Sequence, residues 1–449
     1  MAESLNSFLF STPEMMRVFS PQSQLRAMMR FEWALTRALE KVGLAAVDSS
    51  SALESLLDAN FVDIESLERE AESAGNIAIP FVRQLTTAVA ECSESSSRAI
   101  HLGATSQDVL DTALVLLISE AVPLLNEAIG RLDSALVNQV RIHAGTVLSG
   151  RTWLQPGPPT TLGLKLAGTL AALRRDRERL RCAAERAAVL QFGGAVGTLA
   201  ALGEAGASVS NEIATVLKLR EPELPWHTQR DRLVELVQIL AMLTGTLAKF
   251  ARDISLLMQA EVGEASEGVN EGRGSSSSMP HKHNPVSCAA VLAIHTRMPG
   301  LAATMIQAMP QEHERGLGLW QAEWEIIPKA FEHASAALRS ATEIAETLVV
   351  DAARMQANID LLFGTTLTEA VATALAAKTG RSAAHGLLRY AATRAHAEKR
   401  HLGDVLKQLP EVLQHLSPEE IDRLTDPRNY LGATRRFIAT VLGDEHASD

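Results

Sequence analysis

Between Glu235 and Lys249 the chain reads ELVQILAMLTGTLAK, fifteen residues charged only at their two ends and apolar or uncharged on every side of a helical wheel. A single partner helix cannot cover such a segment, so it has to run through the middle of a bundle. The surrounding pattern, Gln229 to Glu264, places Leu233, Leu236, Leu240, Leu243, Leu247, Phe250, Ile254 and Leu257 at alternating steps of three and four, the spacing of a bundle seam. Aromatic residues make up only 4% of a chain that is 46% hydrophobic, which favours helices packed on helices over a sheet. The fold class expected is all-α.

Other helical patterns follow the same logic. Residues 21 to 43 carry apolar positions at helical spacing and stop at Gly43. From Asp111 a long pattern runs to a loop at Leu148 to Pro159, with Pro123 as its sharpest breaker. A second runs from Thr160 to Leu190, and a further helix should begin at Asn284 as N-cap with Pro285 in its first turn. Beyond about residue 350, Gly380, Pro410, Pro418 and Pro427 divide shorter helices. The organisation expected is an N-terminal helical domain (1–110), a central long-helix bundle (111–350) and a small C-terminal helical domain (351–449).

Composition excludes several classes of function. A net charge of −11 with no basic arm argues against nucleic acid as a partner. The longest charge-free run, Ala187 to Gly203, is short and interrupted by glycines, and the first residues lack a basic region leading into an apolar one, so neither membrane nor secretion is expected. Cys92, Cys182 and Cys288 are far apart and outside any CxxC pattern, which fits a reducing, cytoplasmic setting. No nucleotide-binding glycine motif and no GxSxG elbow is present, so no cofactor is expected. His281 and His283 lack accompanying ligands, so no metal is expected either.

Four polar clusters interrupt the helical text. GSSSSMPHKHNP, 274 to 285, could be a flexible linker, but it closes on a helix start, where free backbone N–H groups and Lys282 would favour an anion. A serine there would ionise more easily than in water and could act as a base towards carbon. HLGATSQDVLDTA, 101 to 113, could be simple capping by Thr105 or Ser106, yet it gathers His101 and Gln107 as well, a donor set suited to a carboxylate. GRTWLQPGPPTTLG, 150 to 163, holds Trp153 and Gln155 in a proline-rich segment that could equally be a structural elbow. QEHERGLGLWQAEW, 311 to 324, offers Arg315 for planar recognition of a carboxylate, with a surface salt bridge as the alternative.

The serine loop resembles the GSSxMPxKxNP signature of the fumarase/aspartase superfamily. HLGATSQD and GRTWLQPGPPTTLG resemble the superfamily's other active-site segments in the same order, and the likeness covers most of the chain. The resemblance implies a three-domain subunit whose central helices build a twenty-helix core in a homotetramer, with each active site shared between three subunits. It further implies cofactor-free addition or elimination next to a carboxylate. On this likeness Ser276 exchanges the Cα proton, with Ser275 and Ser277 as the alternatives because Ser275 stands where glycine is usual. Lys282 and Asn284 hold the substrate carboxylate and its developing charge. His101, Thr105, Ser106, Gln107, Gln155 and Arg315 complete the binding set.

Trp153 replaces the histidine that the superfamily ties to protonation of the leaving group, and tryptophan has no basic site. A reaction whose leaving group is a carboxylate tolerates that loss. The resemblance therefore implies the lactone-forming branch, acting on a small tricarboxylate, with Trp153 shaping the pocket. A C–N lyase of the adenylosuccinate type and a non-catalytic structural relative remain as alternatives.

Overall fold

The computed structural model describes residues 6–268, 274, 279 and 282–444. The protein is 69% helical, as the patterning requires. Helix Pro21–Lys41 starts on Ser20, whose hydroxyl accepts from the Ser23 N–H, with proline at its first position. The longest helix, Ser106–Ile142, continues through Pro123. Leu116, Leu117, Ile118, Ala121, Leu125 and Ile129 are all buried around that proline. Packing on this scale outweighs the roughly 3 kcal/mol that an interior proline costs. Helices Leu162–Ala187, Asp231–Leu257, Val286–Gln307 and Leu319–Thr347 complete the long set.

The chain divides into two compact units, each assembled from separated stretches of sequence. The first comprises 1–129, 176–245 and 293–339. Its core joins Met28, Phe31 and Leu35 of the Pro21–Lys41 helix to Phe81, Leu85, Val109, Phe192, Val209 and Ile213. The second comprises 130–175, 246–292 and 340–449. There Val371, Leu375, Leu388, Ala391, Leu402 and Val405 form a cluster of their own among the C-terminal helices.

Among the described residues two helices, Asp231–Leu257 and Val286–Gln307, are long and apolar enough by length and composition to cross a bilayer. In the most apolar window of the first, 61% of the residues are buried inside the protein, as its all-round apolar surface demands.

The segment expected to be a loop at Leu148–Pro159 is instead a β-hairpin, strand Val147–Thr152 against Gln155–Thr161. Thr152 pairs with Gln155, so the turn is the two residues Trp153 and Leu154, with φ of 54° and 62°. Positive φ at both central positions is the geometry that matches the twist of two antiparallel strands. It is usually met by Asn-Gly, and a tryptophan followed by leucine carries no such signal.

Candidate active site

In the first unit the HLGATSQD segment is organised around Asp108, which is fully buried. Its Oδ1 accepts from Gln191 Nε2 at 2.9 Å and from the Gly193 N–H at 3.1 Å. Its Oδ2 accepts from the N–H groups of Thr105 at 3.0 Å and Gly194 at 2.9 Å. His227 Nε2 lies 2.8 Å from Oδ1, and because a carboxylate only accepts, that nitrogen carries the proton. One carboxylate thus ties the start of the Ser106–Ile142 helix to the 191–194 loop and to His227.

The glycines around it are required by close approach. A Cβ on Gly103 would lie 2.6 Å from Leu202 Cγ, and one on Gly194 would lie 2.8 Å from the Gly103 carbonyl oxygen, with φ already at +68°.

His101 sits beside this hub with φ of 60°. Its backbone N–H donates to Glu32 Oε2 at 3.0 Å, and its Nδ1 lies 2.7 Å from Glu32 Oε1. Burial works to lower the imidazole pKa, but the Glu32 carboxylate outweighs it and holds the pKa above the ordinary value. Gln107 is fully buried and its amide is committed within the unit. Its Nε2 donates to Asp111 Oδ2 at 3.0 Å and to the His227 carbonyl at 2.7 Å. Its Oε1 accepts from Arg315 Nη1 at 3.2 Å. Arg315 also donates through Nη2 to the carbonyls of Gly194 at 3.4 Å and Ala195 at 2.7 Å. The structure therefore brings His101, Thr105, Ser106, Gln107 and Arg315 into one connected region of the first unit.

Beneath it lies a charge cluster that the sequence reading did not single out. Arg230, 1% exposed, meets Asp111 through Nη1 at 2.6 Å and Nη2 at 3.0 Å. It meets Glu323 through Nε at 3.0 Å and Nη2 at 2.6 Å. Trp320 Nε1 donates to Asp111 Oδ1 at 3.1 Å. Burial drives the Glu323 carboxyl pKa up, and the Arg230 guanidinium only partly offsets this. The partners are 93 and 119 residues apart. No local pattern could have found them.

In the second unit, Trp153 is 98% exposed at the tip of the hairpin and Gln155 is exposed beside it. Arg151, on the same hairpin, forms a bidentate pair with the buried Glu264 at 2.9 and 2.6 Å. Ser276 and Ser277 lie outside the described residues, as does His281. Lys282 is exposed, with its N–H on the Met279 carbonyl at 3.0 Å. The half-buried Asn284 donates from its backbone to the Gly274 carbonyl at 2.8 Å.

The expectation that Asn284 caps the next helix and leaves free N–H groups for an anion is corrected here. Glu267 accepts from the N–H groups of Ser287 at 3.0 Å and Cys288 at 2.6 Å. A buried carboxylate already occupies that helix start. Burial, followed by this neighbour, pushes the Cys288 thiol pKa up. Among the described residues no group of three or more His, Cys, Asp or Glu could hold a metal ion.

A model of the family described as Lyase matches residues 7–300, and one described as adenylosuccinate lyase C-terminus matches residues 364–441. The chain is 47% identical over 446 residues to a 3-carboxy-cis,cis-muconate cycloisomerase of Pseudomonas aeruginosa, covering 99% of this chain and 97% of that protein. It is 39% identical over 440 residues to one of Acinetobacter baylyi, covering 98% of each. Among solved structures, the 3-carboxy-cis,cis-muconate lactonizing enzyme from Pseudomonas putida superposes with a TM-score of 0.93 at 48% identity, over 98% of this chain and 99% of that one.

Proposed function

The chain belongs to the lyase family of the fumarase/aspartase superfamily, and from that premise we infer that it converts 3-carboxy-cis,cis-muconate to 4-carboxymuconolactone. The observation that carries this reading is near-complete overlap with four proteins of that activity at 39–47% identity. It is an isomerase, an intramolecular lyase of aromatic catabolism.

One carboxylate of the substrate adds to its own conjugated double bond, closing a five-membered lactone, and the enediolate so formed takes a proton at Cα. The trianion takes up one proton in this step and the lactone leaves as a dianion, the donor regaining its proton from solvent. Ser276 delivers the proton, with Ser277 as the alternative. Lys282, Asn284 and Arg315 counter the charge of the trianion, which a chain of net charge −11 would otherwise repel. His101, Thr105 and Ser106 contact the substrate, and Gln107 serves by holding Arg315. Trp153 and Gln155 line the pocket of a neighbouring subunit, and Trp153 keeps it dry.

The active assembly is a homotetramer with each site built from three subunits. Supporting this, Trp153, Leu154, Met242 and Ile306 are exposed apolar side chains on the hairpin and long helices. The three cysteines are unpaired, in keeping with a cytoplasmic setting. The adenylosuccinate-type reading draws on the match at 364–441. Mixing the protein with 3-carboxy-cis,cis-muconate should give rapid loss of the diene's ultraviolet absorbance, and adenylosuccinate should be inert. The reverse result would assign the C–N lyase activity instead.

A further inference from the structure

Arg315 lies in the 308–318 connection between two long helices, where its own N–H donates to the Glu312 carbonyl at 3.1 Å and the His313 carbonyl accepts from the Thr228 hydroxyl at 3.0 Å. Three of the five N–H groups of a guanidinium are here committed to Gln107, Gly194 and Ala195, which sets its plane and leaves two for a ligand. Both ends of this arrangement lead to the same buried cation. On one side Gln107 is oriented by Asp111, which Arg230 grips through two bonds. On the other, Glu323, also gripped by Arg230, accepts from Gln311 Nε2 at 3.0 Å. Gln311 belongs to the Arg315 segment and packs on Gly316, where an added Cβ would come 2.8 Å from Gln311 Oε1. That oxygen is buried without a hydrogen-bond partner, so among the described residues the bond to Glu323 is the amide's one hydrogen bond.

We propose that Gln311 and Glu323 are positioning residues for the substrate-binding Arg315, holding its segment to a buried anchor, Arg230, that also sets Gln107. This rests on the carboxylate-binding role given to Arg315 above. A cluster of two carboxylates on one guanidinium is a rigid reference point, because each carboxylate is gripped by more than one donor. Arg230 itself is unsuited to a test, since its loss would leave two buried anions unpaired and unfold the unit.

Gln311→Leu is the informative variant, because it removes an unsatisfied carbonyl together with the single bond to Glu323. The purified full-length enzyme should show KM for 3-carboxy-cis,cis-muconate raised about tenfold, with kcat within about twofold and an unchanged melting midpoint. In an Arg315→Ala background the same substitution should leave KM unchanged. Glu323→Gln, which keeps an acceptor for Gln311, should leave KM at the wild-type value. A crystal structure of the Gln311→Leu protein should show the Arg315 guanidinium moved off the Ala195 carbonyl. An unmoved Arg315, or an equal KM effect in the Arg315→Ala background, would overturn the proposal. Wild-type protein inert towards the substrate would count against the assigned reaction alone, and the crystallographic comparison would still decide the positioning.

Discussion

Asp108 and His227, separated by 119 residues, meet at 2.8 Å in an interior from which both are withdrawn from water. The contact closes a loop of hydrogen bonds that also takes in Thr105, Gln191, Gly193 and Gly194. Asp108→Ala would leave these donors buried without an acceptor, including a histidine N–H. A loss of about 3–5 kcal/mol is expected, read as a large fall in the urea midpoint. Asp108→Asn keeps the shape and should cost less. Equal stability of wild type and alanine variant would show the hub to be energetically idle.

The Glu32–His101 pair makes stability depend on pH in a definite sense. The folded imidazole binds its proton more tightly than the unfolded one, whose pKa is near 6.5. The pair's contribution is therefore complete below about pH 6.5 and fades as pH rises through the raised folded value. Comparing wild type with Glu32→Gln in denaturant titrations, the stability difference should be largest in mild acid and shrink in alkaline buffer. A difference that grows with pH would reverse the assignment.

The Trp153–Leu154 turn holds two non-glycine residues at positive φ, a conformation costing roughly 1–2 kcal/mol per residue. Replacing the pair with Asn-Gly should raise stability by about 1 kcal/mol and slow amide exchange at Thr152 and Gln155. The same change should lower turnover, because the indole is removed. A variant both stabler and fully active would mean that Trp153 has no part in the pocket.

Lys282→Ala should reduce turnover by roughly 10²–10³, the cost of removing one preorganised charge stabiliser. Ser276→Ala should abolish turnover while sedimentation still reports the wild-type assembly. If Ser277→Ala abolishes it instead, the proton-exchanging hydroxyl is one residue later.

Helical periodicity and the four polar segments were legible directly, because both are properties of neighbours in sequence. The all-round apolar run Glu235–Lys249 did become part of a largely buried helix. Thr105 and Ser106 do stand at a helix start. The hairpin escaped notice because its turn, Trp-Leu, is held by context and carries none of the usual turn residues. Asn284 looked like a cap on local grounds, yet Glu267, twenty residues away, supplies the acceptors.

By itself, then, the sequence determined a predominantly helical chain and the family whose signature it carries, since periodicity and motif spacing are written within a few turns of chain. Only the tertiary structure decided that Asp108 serves five donors, that Gln107 faces inward, and that Arg230 joins Asp111 to Glu323. A buried charge is tolerated only beside its counter-charge, and which residue supplies that partner is settled by packing across a hundred residues.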